Sequence, residues 1–241
     1  DSEALGPMFE EFVRDKLSEK GVTVLCGDYD QAGDDGECDA VIETNEAVIF
    51  IELKSKLLTR KARSGDDLAA LVDLAQAIVR PQAQAMSRHA TLARSGVLRL
   101  RSKSGEFPVI LAGREVLKVS ITRGDLGSLH DRPFLAQFLK AGSVANFETV
   151  DPQKQGQLKD LGRWFKKLKV SAQSVGEDDY LKSPLPYSRC WSLSVFHLLL
   201  LLESTVDNET FSSELQRTRR LITPLRDFYE EYAYARHNLQ R

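Results

Sequence analysis

One short segment of the chain brings two carboxylates and a lysine into a pattern that could do chemistry. Asp39 opens a run of β-branched residues, and a second run, Ala47–Leu53, contains Glu52 and is followed by Lys54. Runs of this kind separated by a few polar residues predict a β-hairpin. If residues 45–46 form a tight turn, Asp39 lies opposite Glu52. Lys54 is two residues beyond Glu52 on the same strand, so the three side chains share one face.

These three groups suit the hydrolysis of phosphodiesters. Carboxylate oxygens are the ligands that Mg²⁺ or Mn²⁺ prefers, and such an ion activates water and neutralises charge on a phosphate. A neighbouring lysine can steady the attacking hydroxide or the phosphorus centre. Three ionisable groups on one face of an otherwise apolar hairpin are costly to bury without a partner. We therefore interpret the pattern as a candidate catalytic site.

A structural role for the same residues is the alternative. Asp39 could simply begin a strand, and Glu52 and Lys54 could form an ion pair on a solvated face of a sheet. Val41, Val48 and Phe50 would share that face. Because all three are apolar, the pattern favours a covered face.

The elements around the hairpin predict an α/β (α+β) domain with a mixed sheet core flanked by helices. Hydrophobic periodicity indicates the type of each element, and Gly and Pro indicate where the elements begin and end. In chain order they are a helix at Pro7–Lys20, a strand at Val22–Cys26, a polar loop at Gly27–Gly36, the hairpin, a basic loop at Ser55–Gly65, a helical stretch at Asp67–Arg94 interrupted near Pro81, and strands at Phe107–Ala112 and Val116–Thr122.

The second half of the chain has a different character and predicts a C-terminal helical subdomain. We place the core at residues 1–123 and the mainly helical accessory part at 124–241. Helical periodicity runs through Phe134–Lys140, Gln157–Val170, Leu193–Glu203 and Phe211–Arg236, with polar loops between them.

Charge is distributed unevenly along the chain, although the net charge is only −2. Residues 1–53 contain fifteen acidic and three basic side chains, whereas residues 54–103 contain eleven basic and three acidic ones. An acidic site beside a basic flank suits a polyanion held near metal-binding carboxylates. A chance imbalance between two solvated faces is the alternative.

Other chemistries and compartments find little support in the sequence. The three cysteines form no CxxC pair and the four histidines no HxxxH pair, so neither a disulfide framework nor a zinc site is expected. The apolar stretch around Leu198–Leu202 is too short to span a bilayer, and the acidic first residues predict no signal peptide. We expect a cytoplasmic protein that does not bind membranes.

The segment Gly36-Glu-Cys-Asp39, the hydrophobic hairpin and Ile51-Glu-Leu-Lys54 together resemble the core of the PD-(D/E)xK nuclease superfamily, which has the restriction-endonuclease-like fold. The resemblance implies that Asp39 and Glu52 bind the metal and that Lys54 is catalytic. It also implies that the backbone carbonyl of Leu53 completes the metal shell. The sequence departs from the family pattern in having Cys38, rather than proline, before the aspartate.

Two helices add weaker candidates through the same resemblance. Gly6-Pro-Met-Phe-Glu10 resembles the Gly-x-x-x-Glu of resolvase-like members, which implies a catalytic role for Glu10, with Glu11 as the fallback. Some members carry a glutamine on the helix after the Glu-x-Lys strand. Gln84 is the first candidate for it, and Gln82 is the second.

The resemblance implies an Mg²⁺- or Mn²⁺-dependent nuclease, with DNA favoured over RNA, in bacterial defence or DNA processing. The helical half would recognise substrate, bind a protein partner or form a homodimer. A nuclease-like fold that no longer cuts, and serves as a nucleic-acid-binding or protein-interaction module, is the alternative. In a third interpretation the helical half is the functional part and the sheet domain a passenger.

Overall fold

A seven-stranded mixed sheet forms the centre of the molecule. The structure, a computed structural model, describes residues 2–31, 33–148, 155–176, 187–220, 224 and 226–238. The strands are β1 (Leu25–Gln31), β2 (Asp34–Glu43), β3 (Ala47–Lys54), β4 (Val97–Ser102), β5 (Gly105–Ile110), β6 (Glu115–Thr122) and β7 (Cys190–Ser194). They are arranged in the order β5-β4-β1-β2-β3-β6-β7. The pairs on the β5 side of β3 are antiparallel, whereas β6 runs parallel to β3 and β7 parallel to β6.

Helices cover both faces of this sheet. They are α1 (Ser2–Glu19), α2 (Arg60–Arg63), α3 (Asp67–Leu74), α4 (Arg80–Ser95), α5 (Arg132–Val144), α6 (Gln155–Ser174), α7 (Val195–Leu202), α8 (Asn208–Arg217) and α9 (Phe228–Asn238). A π-helical segment, Ala75–Val79, joins α3 to α4, and short 3₁₀ turns occur at Gly127–His130 and Thr218–Arg220. The predicted mixed sheet flanked by helices is therefore confirmed.

Helix α1 covers one face because its apolar residues recur at helical spacing. Phe9, Val13 and Leu17 are buried and belong to the same core cluster as Ala40 and Ile42 of β2. Alternation along β2 sends these two side chains to the α1 face and Val41, between them, to the other. Helix α7 packs beside α1 on this face.

Helix α4 covers the opposite face, which carries the candidate site. Val41, Val48 and Phe50 form a buried cluster there with Ala85 and Leu92 of α4. The expectation that this face is covered is thus confirmed. The predicted interruption of the helical stretch near proline is also confirmed, because the π-helical turn ends directly before Arg80-Pro81. Helix α6 packs on the outer side of α4.

Some strand boundaries were predicted wrongly. The structure places β1 at Leu25–Gln31, so the expected polar loop at Gly27–Gly36 is largely strand. The residues are polar because many of them are exposed, whereas Tyr29 is buried. Strand β4 was missed, although Leu98 and Leu100 alternate with the exposed Arg99 and Arg101.

The second half of the chain contributes to the same sheet. Strand β7 was not predicted, and the helix expected from Leu193 begins instead at Val195, where the Ser194 hydroxyl accepts a hydrogen bond from the His197 N–H at 3.2 Å. The stretch expected to be helical at Phe211–Arg236 contains α8 and α9, and its residues 221–223 and 225 lie outside the described residues. The boundary between residues 123 and 124 stays a prediction. In the described part of the chain, no helix combines the length and apolar character needed to cross a membrane.

Candidate functional site

The hairpin turn has the predicted tight geometry. The Thr44 N–H donates to the Ala47 carbonyl oxygen at 2.8 Å, and the Ala47 N–H donates to the Thr44 hydroxyl at 2.8 Å. Beyond the turn, Val41 pairs with Phe50 and Ala40 with Ile51. The same register, continued by one residue, places Asp39 opposite Glu52. The predicted register is confirmed.

A β-bulge in β2 aims the Asp39 side chain. Leu25 of β1 pairs with Val41, but Gly27 pairs with Cys38, so two residues of β2 lie opposite Cys26 alone. A bulge of this kind bends the strand and redirects the side chains at its position. Asp39 Oδ2 accepts a hydrogen bond from the Leu53 N–H at 2.7 Å.

Lys54 joins the two carboxylates. Its Nζ lies 3.4 Å from Glu52 Oε2 and 3.7 Å from Asp39 Oδ2, so both carboxylates converge on one ammonium group. Glu52 is only 1% exposed and Asp39 9%. Burial raises the pKa of Glu52 to about 7, against the lowering influence of Arg88 and Lys54. The structure therefore brings the three principal candidates together in a covered site at the end of β3.

Arg88 of α4 also belongs to the site, and the sequence did not point to it. Its guanidinium donates to Glu52 Oε1 and to the backbone carbonyl of Glu37, and it lies 5.7 Å from the centre of the Tyr29 ring. The side chain is 2% exposed. Burial alone would lower the pKa of Arg88, but the charge of Glu52 holds it above its ordinary value. One feature of the sequence could have identified Arg88: it lies one helical turn from both Ala85 and Leu92, so it is a charged residue on the apolar face of α4.

Glu10 approaches the site from α1. Burial, followed by the charge of Asp39, raises the pKa of Glu10. Arg14 connects them, because its Nη1 lies 3.6 Å from Glu10 Oε2 and donates to the Asp39 carbonyl oxygen at 3.1 Å. Glu11, the fallback candidate, is exposed.

The two glutamines of α4 occupy different positions. Gln84 precedes Arg88 by one turn on the same side of the helix, and its Oε1 is buried with no hydrogen-bond partner among the described residues. Gln82 donates instead to the Trp191 carbonyl oxygen at 2.7 Å and to the Ser120 hydroxyl at 3.3 Å. Gln82 therefore links α4 to β6 and β7, and Gln84 remains the candidate on the Arg88 side.

The donor set fits a hard divalent cation. Asp39 and Glu52 supply carboxylate oxygens that converge, and Mg²⁺ commonly uses one or two carboxylates and keeps several waters. Within the described ranges, no group of three or more His, Cys, Asp or Glu side chains is arranged to hold a metal ion. A metal ion at this site would thus be coordinated by two carboxylates and by water. The role of the Leu53 carbonyl as a further ligand stays a prediction.

Comparisons of the chain with protein-family models, curated proteins and solved structures return no match. The case for a function therefore depends on the geometry of the site and on the resemblance of its motif.

Proposed function

We propose that the protein is a metal-dependent nuclease that hydrolyses phosphodiester bonds, with DNA as the favoured substrate. The observation that carries the proposal is the convergence of Asp39, Glu52 and Lys54 in one covered site. Asp39 and Glu52 would hold Mg²⁺ or Mn²⁺. When bound, the ion would supply an activated water and charge neutralisation at the phosphate.

The roles of the chain's own residues follow from their contacts. Lys54 lies between the carboxylates, so its ammonium is placed to orient a nucleophilic water or to stabilise a negatively charged phosphate. Glu10 would assist at the Asp39 side of the site, because Arg14 contacts both the Glu10 carboxylate and the Asp39 carbonyl oxygen. Gln84 would assist through its buried amide oxygen.

The fold supports the same proposal. A mixed sheet flanked by helices, with the Asp on one strand of a central hairpin and Glu-Leu-Lys at the end of the next, is what the resemblance to the PD-(D/E)xK superfamily implies. We therefore propose that the core is restriction-endonuclease-like.

An exposed basic segment next to the site favours a polyanionic substrate. Lys56, Arg60, Lys61 and Arg63 follow Lys54 directly and are all exposed. Lys56 and Lys61 form ion pairs at 3.3 Å with Asp73 and Asp66. Within the described residues, Arg63 donates only its Nε, to the Leu58 carbonyl oxygen at 3.1 Å, so the ends of the two guanidinium groups would contact phosphates. Such contacts supply affinity for a nucleic-acid backbone without reading its sequence.

The test is a cleavage assay on plasmid DNA and on matched DNA and RNA oligonucleotides, with Mg²⁺, Mn²⁺ or EDTA. We expect cleavage of DNA with either metal, none in EDTA, and none in Glu52→Gln or Lys54→Met. Glu106→Gln is the matched control, because Glu106 forms an exposed ion pair with Arg99 at 3.0 Å on the β4–β5 hairpin. Cleavage that persists in either site variant would remove the site assignment.

One observation favours a second candidate, a nuclease-like module that binds without cutting. Arg88 already neutralises Glu52, so the buried carboxylate has a counter-charge without a metal. Binding of DNA, or of a protein partner or second copy through the helical half, with no cleavage under any metal condition, would favour this candidate.

A further inference from the structure

Arg88 places a fixed positive charge against one of the two carboxylates proposed to bind metal. We infer that the site binds a single divalent cation and that the Arg88 guanidinium holds the position on Glu52 that a second cation would need. The inference rests on the proposed function and adds the number of metal ions to it.

The oxygens of the two carboxylates are already divided between partners. Glu52 Oε1 accepts from Arg88, and Asp39 Oδ2 accepts from the Leu53 N–H at 2.7 Å. Glu52 Oε2 lies 3.4 Å from the Lys54 ammonium, which also lies 3.7 Å from Asp39 Oδ2, and Asp39 Oδ1 accepts no hydrogen bond from any described residue. One oxygen of each carboxylate is therefore bonded neither to Arg88 nor to the Leu53 N–H, and two carboxylate oxygens are enough for one ion that keeps its waters.

The guanidinium cannot easily leave Glu52. Arg88 is held from a second side by the Glu37 carbonyl and lies over the Tyr29 ring. The Tyr29 hydroxyl donates to Asp34 at 2.9 Å, and Asp34 also accepts from Ser87, the neighbour of Arg88, at 2.8 Å. Because an arginine stays protonated in proteins, this positive charge is permanent.

On the Glu10 side of the site, an arginine again lies beside a carboxylate. Glu10 is the other carboxylate near Asp39, and Arg14 lies 3.6 Å from it. A second divalent ion between Glu10 and Asp39 would approach this guanidinium, and one at Glu52 would approach Arg88. Like charges at such distances repel strongly in a site with little water. Glu10 and Glu52, the two carboxylates that a second ion would share with Asp39, thus each already have an arginine beside them.

The decisive measurement is the stoichiometry of Mn²⁺ binding to the full chain by isothermal titration calorimetry, with Ca²⁺ as a second probe. We expect one ion per chain in the wild type and loss of that ion in Glu52→Gln. Two ions per chain in the wild type would overturn the inference. This measurement needs no Arg88 variant, so it decides even if such variants fold poorly.

Arg88→Met tests the role of the charge through stability. Removing one partner of a buried ion pair leaves Glu52 uncompensated, so we expect the Tm without metal to fall by roughly 10 °C. Mn²⁺ then supplies the missing charge, and we expect it to raise the Tm of this variant more than that of the wild type. Arg88→Lys keeps the charge and should bind one ion as the wild type does. An equal Mn²⁺-induced shift in Arg88→Met and wild type would contradict the inference.

Arg132→Met is the matched control. Arg132 is also buried, at 8% exposure, but its guanidinium bonds to the Thr218 and Ser188 carbonyl oxygens and lies over the Trp191 ring at 4.5 Å. Its loss should destabilise the protein without changing the Mn²⁺-induced shift. A wild type that binds no Mn²⁺ and cuts no DNA would refute the proposed function, whereas one that cuts DNA with two ions bound would refute only the single-ion inference.

Discussion

Asp39 has both a structural and a chemical role, and two substitutions separate them. Its Oδ2 accepts a hydrogen bond from the Leu53 N–H at 2.7 Å, in a part of the sheet where both residues are buried. Asp39→Ala removes the acceptor and leaves the N–H unsatisfied. Asp39→Asn keeps an acceptor oxygen at the same place but removes the negative charge.

The expected magnitudes follow from these contacts. An unsatisfied buried donor costs about 1–3 kcal/mol, so Asp39→Ala should lower the free energy of unfolding by about that amount. Asp39→Asn keeps the hydrogen bond but weakens it, since charge-assisted bonds are roughly twice as strong as neutral ones, and should cost about 1 kcal/mol or less. The ion pair with Lys54 at 3.7 Å is long and adds little. Both variants should lose metal-dependent cleavage, because both lose the carboxylate.

The assay combines urea unfolding with the DNA cleavage reaction. Asp131 provides the matched pair of controls, because its carboxylate caps α5 by accepting from the Phe134 N–H at 3.0 Å. Asp131→Ala should be destabilised by about 1 kcal/mol and Asp131→Asn much less, with cleavage unchanged in both. The reasoning fails if Asp39→Asn is as unstable as Asp39→Ala, or if Asp39→Asn still cleaves DNA with Mg²⁺.

Three further predictions concern a catalytic side chain, a pH effect and a packing contact. Lys54→Met should reduce the cleavage rate by at least about 10²–10³-fold, to below detection, while keeping the Mn²⁺-induced rise in Tm, and loss of that rise would place Lys54 in metal binding instead. Burial lowers the pKa values of His130 and His197 from 6.5 to about 4. The unfolded chain therefore takes up protons at these two histidines first as pH falls, so the stability that they contribute above pH 6.5 should decline by about 1–3 kcal/mol toward pH 5 in urea titrations. The double variant His130→Asn/His197→Asn should flatten this decline, and an unchanged slope would contradict the assignment. Gly142→Ala should lower the free energy of unfolding by about 1–3 kcal/mol in thermal unfolding, because a Cβ there meets a phenylalanine ring of α6 at 2.0 Å. Gly162→Ala, whose Cβ has its nearest contact at 4.0 Å, should raise the free energy of unfolding by up to about 1 kcal/mol. Equal effects of the two substitutions would refute the packing argument.

The hairpin was predictable because its information is local. Alternation within Ala47–Leu53 and the two residues of the turn define the register, and this register predicts that Asp39 and Glu52 share a face. The helical stretch before and after Pro81 was predictable for the same reason, since 3.6-residue periodicity and a proline are both visible in the sequence.

The remaining features depend on partners distant in sequence. The bulge at Asp39 depends on how β1 pairs with β2, because the register of that pair shifts between Leu25 and Gly27. The polar run Gly27–Gly36 gives no sign of this pairing. Arg88 lies 36 residues from Glu52 along the chain, so nothing near either residue indicates their contact. Strand β7 has five buried residues, and a run this short, directly before a helix, cannot be distinguished by periodicity from the first turn of that helix.

Strand β7 lies far from β6 in the sequence, and this separation determines where the chain can be divided. Strand β6 has seven buried residues among its eight, and Lys118–Thr122 pair with β7, a strand that follows about 70 residues later. A fragment ending at residue 123 would expose one side of β6 as an open row of backbone donors and acceptors beside apolar side chains. Such an edge is a template for pairing with other chains. We expect this fragment to aggregate, and a nascent chain to need its second half before its sheet is protected.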